Sequence, residues 1–151
     1  MIITKTPYRI SFFGGGSDYP QWYKKFGGSV LSTTIDKFIY ISCRQLPPFF
    51  DHKYRVVWSK IENVKKIEQI QHLTVKKLLQ LNKIKSGLEI HYDGDLPARS
   101  GMGSSSSFSV GLMSAFLKFQ KKNISRMNLA KQTINFEQKI MKEVVGSQDQ
   151  V

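Results

Sequence analysis

The feature that most constrains this chain is a segment rich in glycine and serine that lies between a strand pattern and a helix pattern. It consists of Pro97, Ala98, Arg99, Ser100, Gly101, Met102, Gly103, Ser104, Ser105, Ser106 and Ser107. Glycines let a backbone approach a phosphate closely, and the first turn of a helix offers unpaired N–H groups at the positive end of its dipole. Serine hydroxyls add donors, and one of them can ligate Mg²⁺. The pattern favours an anion-binding loop, with a serine-capped helix after a flexible loop as the alternative.

Three common glycine motifs do not describe this loop. No lysine follows its last glycine, so it is not a Walker loop. Ser106 stands where the dinucleotide-binding pattern G-x-G-x-x-G needs its third glycine. The pattern G-x-S-x-G is also absent, which argues against a hydrolase nucleophile elbow.

The periodicity of apolar residues predicts an α+β fold with helices packed on one sheet. Strand patterns cover residues 1–13, 28–35, 38–44, 54–59 and 87–92. Helix patterns cover residues 68–82, 104–120, and 125 to about 145. We expect Ser125 to cap the last of these helices.

A second motif near the amino terminus combines a cation, a glycine turn and a carboxylate. Its residues are Arg9, Gly14, Gly15, Gly16, Asp18 and Tyr19. An inward-facing arginine can hold a phosphate or a sugar oxygen in a forked geometry, and Asp18 can accept two sugar hydroxyls. The alternative is an ordinary hairpin turn with a surface ion pair.

Two carboxylates near the end of the sequence are the remaining candidates. Glu137 shares a helical stripe with Ile134 and Met141, and none of its neighbours three or four positions away is a cation. A carboxylate in such a stripe is costly unless it meets a metal or a cation from elsewhere in the fold. Asp149 follows a turn led by Gly146, which can aim it back toward the same site or simply form the turn.

The composition excludes some functions and leaves the cellular setting as an expectation. The net charge of +12 comes from lysines and arginines that are spread along the chain without a block of five or six, so we do not expect nucleic acid as a partner. No apolar run is long enough to span a membrane, and we expect no membrane partner. The single cysteine, Cys43, is expected to be a buried thiol of a cytoplasmic protein.

The glycine–serine loop resembles the second motif of the GHMP kinase superfamily, Pro-x-x-x-Gly-Leu-Gly-Ser-Ser, with Met102 in place of leucine. The resemblance implies that the loop, including Arg99, Ser100 and Ser106, binds the phosphates of ATP. It also implies that Ser105 and Glu137 hold Mg²⁺. Asp149 would act as the base or orient the attacking hydroxyl, and Arg9 would stabilise charge in the transition state.

The amino-terminal motif is similar to the first motif of the same superfamily. Arg9, Gly14, Asp18 and Tyr19 match the galactokinase-type pattern, which implies that they bind the substrate. Gly15 and Gly16 replace a glutamate and a histidine of that pattern and leave room for a bulkier sugar. Further strings resemble kinases that add phosphate to the anomeric hydroxyl of D-glycero-D-manno-heptose 7-phosphate for bacterial surface polysaccharides. A fucose-type or other sugar-1-kinase is the alternative.

The resemblance also sets an expectation for domain organisation. Residues 1–151 would form a GHMP kinase amino-terminal domain of ribosomal-protein-like fold, without its last strands and without the family's carboxy-terminal domain. We therefore expect a fragment or an interrupted reading frame, inactive as an isolated chain, or a nucleotide-binding remnant. A separate carboxy-terminal half or a second copy of the chain is the partner that this implies.

Overall fold

The computed structural model describes residues 1–98 and 100–151, so Arg99 lies outside the described residues. The strands are β1 (Ile2–Phe13), β2 (Leu31–Gln45), β3 (Tyr54–Val57), β4 (Ile61–Val64) and β5 (Leu88–Gly94). The α-helices are α1 (Pro20–Phe26), α2 (Leu73–Leu81), α3 (Ser104–Phe119) and α4 (Arg126–Asn135). A 3₁₀ turn (Ile67–Gln69) precedes α2, and a π-helical turn (Phe136–Ile140) follows α4. This mixed arrangement confirms the expected α+β class.

The five strands form one sheet in the order β1-β2-β5-β3-β4. β2 is the longest strand, antiparallel to β1 on one side and to β5 on the other. β3 runs parallel to β5 and antiparallel to β4. A parallel pair needs a crossover connection, and here the crossover contains β4 and α2.

The core lies between the sheet and α3. Alternate residues of β2, namely Ile39, Ile41 and Cys43, are fully buried, as are Leu112 and Phe116 on α3. Period-two burial on the strand and a continuous apolar face on the helix explain why the two elements pack together. Burial raises the pKa of the Cys43 thiol to about 12, in agreement with the expected buried cysteine.

Side-chain hydrogen bonds fix α3 on β1. The Thr4 hydroxyl donates to the Gly111 carbonyl at 3.1 Å, and the Ser107 hydroxyl donates to the Pro7 carbonyl at 2.9 Å. The backbone N–H of Arg9 donates to the Met102 carbonyl at 3.2 Å. These contacts hold the amino-terminal end of α3, and the loop that precedes it, beside the middle of β1.

The sequence prediction of two strands at 28–35 and 38–44 is wrong, because residues 31–35 and 38–44 belong to the single strand β2, and residues 28–30 precede it. The predicted break at Asp36 and Lys37 coincides with an irregularity in the pairing with β1, where Pro7 faces Phe38 but Arg9 faces Thr34. Such a bulge adds residues to one strand without ending it. It also lies directly beside Arg9.

The bounds of two predicted helices need correction. The helix expected from residue 68 begins only at Leu73, since residues 67–69 form a 3₁₀ turn. The helix expected to reach about residue 145 ends at Asn135 and continues as a π turn. The Ser125 cap is confirmed, because its hydroxyl accepts from the Asn128 N–H at 3.3 Å. Helix α1 and strand β4 were not predicted, since each is too short for a clear period.

Among the described residues, no helix has both the length and the apolar character that crossing a bilayer requires.

The stability of this fold is expected to fall below about pH 6.5 through His72. Its ring stacks on Phe108 with centroids 5.0 Å apart, and Trp58 meets it edge-on at 4.9 Å. Burial lowers the pKa of His72 and outweighs the opposite effect of Glu62. The unfolded chain therefore binds the proton more readily, so stability present above the unfolded pKa is lost as the pH falls. Melting temperatures between pH 7 and pH 5 should fall more steeply for the wild type than for His72→Phe; equal slopes would contradict this.

Candidate active site

Arg9 and Asp149 form an ion pair although 140 positions separate them. The Arg9 Nε donates to Asp149 Oδ1 at 2.6 Å, and Nη2 lies 2.5 Å from the same oxygen. Nη1 donates to the Gly101 carbonyl at 3.0 Å. The side chains of Arg9 and Asp149 are only 16% and 23% exposed, so solvent screens the pair weakly. Both of these contacts with Asp149 fall on Oδ1.

Asp149 lies close to Gly103, at the amino-terminal end of α3 (called the mouth of α3 below). Gly103 is the N-cap of α3, with a φ of +74° that disfavours residues with a side chain. A Cβ on Gly103 would lie 3.4 Å from both Cγ and Oδ2 of Asp149. Because the first N–H groups of a helix lack internal partners, this carboxylate stands beside a positive helix end.

Glu137 is a buried carboxylate at the same mouth. It is 1% exposed, and its Oε2 accepts from the Ser106 hydroxyl at 2.8 Å. The Gln150 amide donates to the same oxygen and also to the Ser106 Oγ, the latter at 3.0 Å. The other oxygen, Oε1, has no hydrogen-bond partner in the part of the chain that the structure describes. Within that part, no lysine or arginine forms a salt bridge with Glu137, so the alternative reading of a structural ion pair finds no support there.

The π turn delivers Glu137 to this position. It begins at Phe136, which is fully buried, and closes with a hydrogen bond from the Met141 N–H to the Phe136 carbonyl at 2.9 Å. One extra residue per turn rotates the following side chains relative to α4, and such turns are frequent at functional sites.

The surroundings of Glu137 favour a cation. Burial, and then the negative charge of Glu137, raises the pKa of Glu143. Two carboxylates that lie close together repel one another, and a cation would relieve this repulsion.

Mg²⁺ fits these residues as a partial protein site. The Ser106 hydroxyl, the Glu137 carboxylate and the Gln150 amide carry oxygens, the ligand type that Mg²⁺ prefers. Mg²⁺ is commonly bound through one or two carboxylates together with substrate phosphates.

The serine that contacts Glu137 is Ser106, one position after the predicted Ser105. Ser105 is exposed at the second position of α3, and Ser104 opens the helix. Ser106 is buried by contrast. Ser105 as a metal ligand therefore stays a prediction, and the structure adds Ser106 as the hydroxyl already in place.

The rest of the predicted nucleotide loop connects β5 to α3. Pro97, Ser100, Gly101 and Met102 precede the helix, and Gly101 has a φ of +75°. Arg9 is bonded to the carbonyls of Gly101 and Met102, so the loop is tied to β1.

An open cleft of about 720 Å³ joins the two glycine-rich motifs. It is lined by Arg9, Ile10, Ser11, Phe12, Phe13, Gly14, Gly15, Gly101, Met102 and Gln148. Of the predicted substrate residues it includes Arg9, Gly14 and Gly15. Gly16, Asp18 and Tyr19 do not line it.

Asp18 is instead engaged by backbone N–H groups. Its Oδ1 accepts from Gly16 at 3.1 Å, and its Oδ2 accepts from Ser147 at 2.8 Å and from Gln148 at 3.0 Å. Tyr19 is the N-cap of α1, and its N–H donates to the Gly16 carbonyl at 3.3 Å.

Sequence reasoning missed Gln150, Gln148 and the aromatic wall of the cleft. Gln150 directly follows the predicted base, which was the one available signal. A lone glutamine next to an aspartate has no periodic context and gives no reason to expect burial, yet Gln150 is only 4% exposed. Phe12 and Phe13 lie in the amino-terminal strand and motif, but no binding role was predicted for them.

Comparison with known proteins identifies the relatives of this chain. Residues 64–151 match the family model described as GHMP kinases N terminal domain. A D-glycero-alpha-D-manno-heptose 7-phosphate kinase from Campylobacter jejuni is 29% identical over 160 residues, which cover 99% of this chain and 47% of that protein.

Solved structures show the same fold at low identity. A D-glycero-D-manno-heptose 1-phosphate kinase from Bacteroides thetaiotaomicron superposes with a TM-score of 0.87 at 21% identity, over 99% of this chain and 52% of that one. A galactokinase from Lactococcus lactis complexed with galactose gives a TM-score of 0.73 at 21% identity, over 98% of this chain and 40% of that one. The chain thus spans about half the length of the relatives it matches.

Proposed function

The chain belongs to the GHMP kinase family through its N-terminal domain, and from this premise we propose that it carries the phosphoryl-transfer site of an ATP- and Mg²⁺-dependent sugar kinase. The proposed substrate is D-glycero-D-manno-heptose 7-phosphate, which would be phosphorylated on its anomeric hydroxyl to the 1,7-bisphosphate. The matching heptose 7-phosphate kinase of C. jejuni supports this substrate. We also propose that the reaction takes place in the cytoplasm. Its product would be used to build surface polysaccharides.

The observation that carries the proposal is the buried Glu137 carboxylate at the mouth of α3. It has one oxygen held by Ser106 and Gln150 and one oxygen without a partner. A structural carboxylate at this burial normally has both oxygens satisfied. A carboxylate with one oxygen held and one oxygen available is suited to bind a metal ion.

The loop and helix mouth would bind the nucleotide. Residues 101–107 present backbone N–H groups and serine hydroxyls to the ATP phosphates. Glu137, with Ser105 or Ser106, would hold Mg²⁺. A bound Mg²⁺ would supply positive charge against the negative charge of the ATP phosphates.

The ion pair would serve the acceptor sugar. Asp149 would take or orient the proton of the anomeric hydroxyl, with Oδ1 held by Arg9 and Oδ2 as the accepting oxygen. The Arg9 guanidinium, at the edge of the cleft, would stabilise negative charge in the transition state. Both side chains are held before any substrate arrives, which is the preorganisation that such catalysis needs.

The cleft has room for a sugar phosphate larger than galactose. Gly14 and Gly15 contribute no side chain to it, and Phe12 and Phe13 provide an apolar wall for a sugar face. Among the described residues that line the cleft, Arg9 is the one with a positive charge.

A transfer assay tests this function directly. The longest protein that carries this sequence is incubated with Mg²⁺, ATP labelled in its terminal phosphate, and either heptose 7-phosphate, fucose or galactose. We expect kcat/KM for heptose 7-phosphate to exceed that for the free sugars at least about 100-fold, because a site built for a polar group rejects analogues that lack it. Mass spectrometry should show a bisphosphate, and omission of Mg²⁺ should stop the reaction.

Two other outcomes would replace the proposal. Preferred transfer to fucose or another free sugar would identify a different sugar-1-kinase. Binding of ATP without transfer to any of the three sugars would leave a nucleotide-binding role only.

A further inference from the structure

Asp18 holds together two loops that the sequence places at opposite ends of the chain. Its carboxylate, nine-tenths buried, accepts from the backbone N–H groups of Gly16, Ser147 and Gln148. Two of these donors belong to the segment that leads into Asp149. N–H groups bonded to a carboxylate make short, strong hydrogen bonds, so this contact is a firm attachment of the segment.

The fit at Gly146 shows how closely the segment approaches Asp18. A Cβ on Gly146 would lie 2.0 Å from Asp18 Oδ2 and 2.5 Å from its Cγ. Real Cβ atoms do not come that close, so only glycine permits this contact.

The attached segment carries both halves of the candidate site. Asp149 contacts Arg9, and Gln150 contacts Glu137 and Ser106. Only a few backbone bonds separate Asp149 and Gln150 from the Ser147 and Gln148 N–H groups that Asp18 holds. A shift of the segment at Ser147 and Gln148 would therefore move both contacts.

The carboxylate has little capacity for the role predicted from the sequence. A carboxylate offers about four lone-pair positions, and three donors already use it. Two sugar hydroxyls would exceed what remains. Asp18 also does not line the cleft.

We propose that Asp18 is a positioning residue, which fixes the segment 146–150 so that Asp149 meets Arg9 and Gln150 meets Glu137. The role of Asp149 as a base rests on the proposed kinase function. The attachment itself does not, and it can be measured without turnover.

Hydrogen exchange of single amides in this chain tests the attachment. In Asp18→Asn, the amide protons of Ser147 and Gln148 should exchange about 10- to 100-fold faster, the range expected when hydrogen bonds to a charged acceptor are lost. Amides of β2 such as Ile41 should keep their rates. The matched control is Asp51→Asn, because Asp51 is exposed in a loop and should leave the exchange at Ser147 and Gln148 unchanged.

A signature of the ion pair tests the positioning. The Arg9 Nε–H, bonded to Asp149, should give a protected NMR signal in the wild type. In Asp18→Asn this signal should move toward its position in Asp149→Asn, where the charge pair is removed. Gly146→Ala should have the same effect, because its Cβ cannot fit beside Asp18 Oδ2 and must push the segment and the carboxylate apart, although the charge of Asp18 is kept.

The remaining outcomes contradict the proposal. An unchanged Arg9 signal in both variants would show that Asp18 does not position Asp149. Faster exchange throughout β2 would show that Asp18 only stabilises the fold. If the protein does not bind ATP in a magnesium-dependent way, the proposed kinase function fails, but the hydrogen-exchange result is unaffected. The two failures can therefore be told apart.

Discussion

Replacing Glu137 by glutamine is expected to weaken magnesium-dependent ATP binding at least about 100-fold, more than the 10- to 100-fold typical of losing a partner outside the ligand shell. The change keeps the size of the side chain and an oxygen that Ser106 and Gln150 can bond, but it removes the charge that a divalent cation needs. Calorimetric titration of ATP with and without Mg²⁺, at constant ionic strength, measures the effect. Binding without Mg²⁺ should be nearly the same in both proteins.

The matched control for this experiment is Glu62→Gln. Glu62 is also buried, at 7% exposure, but both of its oxygens are satisfied by the Trp58 indole and by the backbone N–H groups of Gln71 and His72. Glu62→Gln should therefore lower the melting temperature, because one oxygen that accepts N–H groups becomes a donor. It should leave the magnesium dependence of binding unchanged.

Stability separates a metal ligand from a structural carboxylate at position 137. A buried charge without a counter-ion is unfavourable in the metal-free protein, so Glu137→Gln should melt at the same or a higher temperature than the wild type. A lower melting temperature together with unchanged magnesium dependence would show that Glu137 serves the fold. The metal assignment would then be withdrawn.

The parts of the fold that the sequence predicts are those controlled by local periodicity. β1 and α3 were bounded to within a residue, since each has a long, regular pattern and a glycine-rich boundary. β2 was split because Asp36 and Lys37 interrupt its pattern, whereas its pairing with β1 continues on both sides of them and its pairing with β5 begins at Ile39. The extent of β2 is therefore set by its pairing with other strands, which no local sequence pattern reveals.

The candidate site was predictable only where a residue is anomalous in its local context. Glu137 is a charge in an apolar helical stripe, and this anomaly indicated burial near a cation site. Asp18 and Gln150 are ordinary for their surroundings, one in a turn and the other at a polar end. Their burial depends on contacts across 129 and 44 positions, which a single sequence does not reveal.

Asp149→Asn is expected to lower kcat by about 10²- to 10⁴-fold, the usual contribution of general acid–base catalysis. The amide keeps the shape of the side chain but cannot take the proton of the sugar hydroxyl. KM for ATP should change little, because Asp149 contacts Arg9 rather than the proposed metal site. Turnover is measured in the longest protein that carries this sequence, with Asp36→Asn, an exposed residue of β2, as the matched control.

Arg9→Lys tests whether the base acts alone or as one unit with its partner. A lysine retains the charge, but its ammonium group does not reproduce the forked contacts that the guanidinium makes with Asp149 and the Gly101 carbonyl. If the pair is the working unit, the double variant Arg9→Lys with Asp149→Asn should be little slower than Asp149→Asn alone, because residues that act as a unit are strongly non-additive. Additive losses would show that Arg9 stabilises charge independently of Asp149. Near-normal turnover of Asp149→Asn would remove Asp149 as the base, and the carboxylate at the helix mouth would then only hold Arg9 in place.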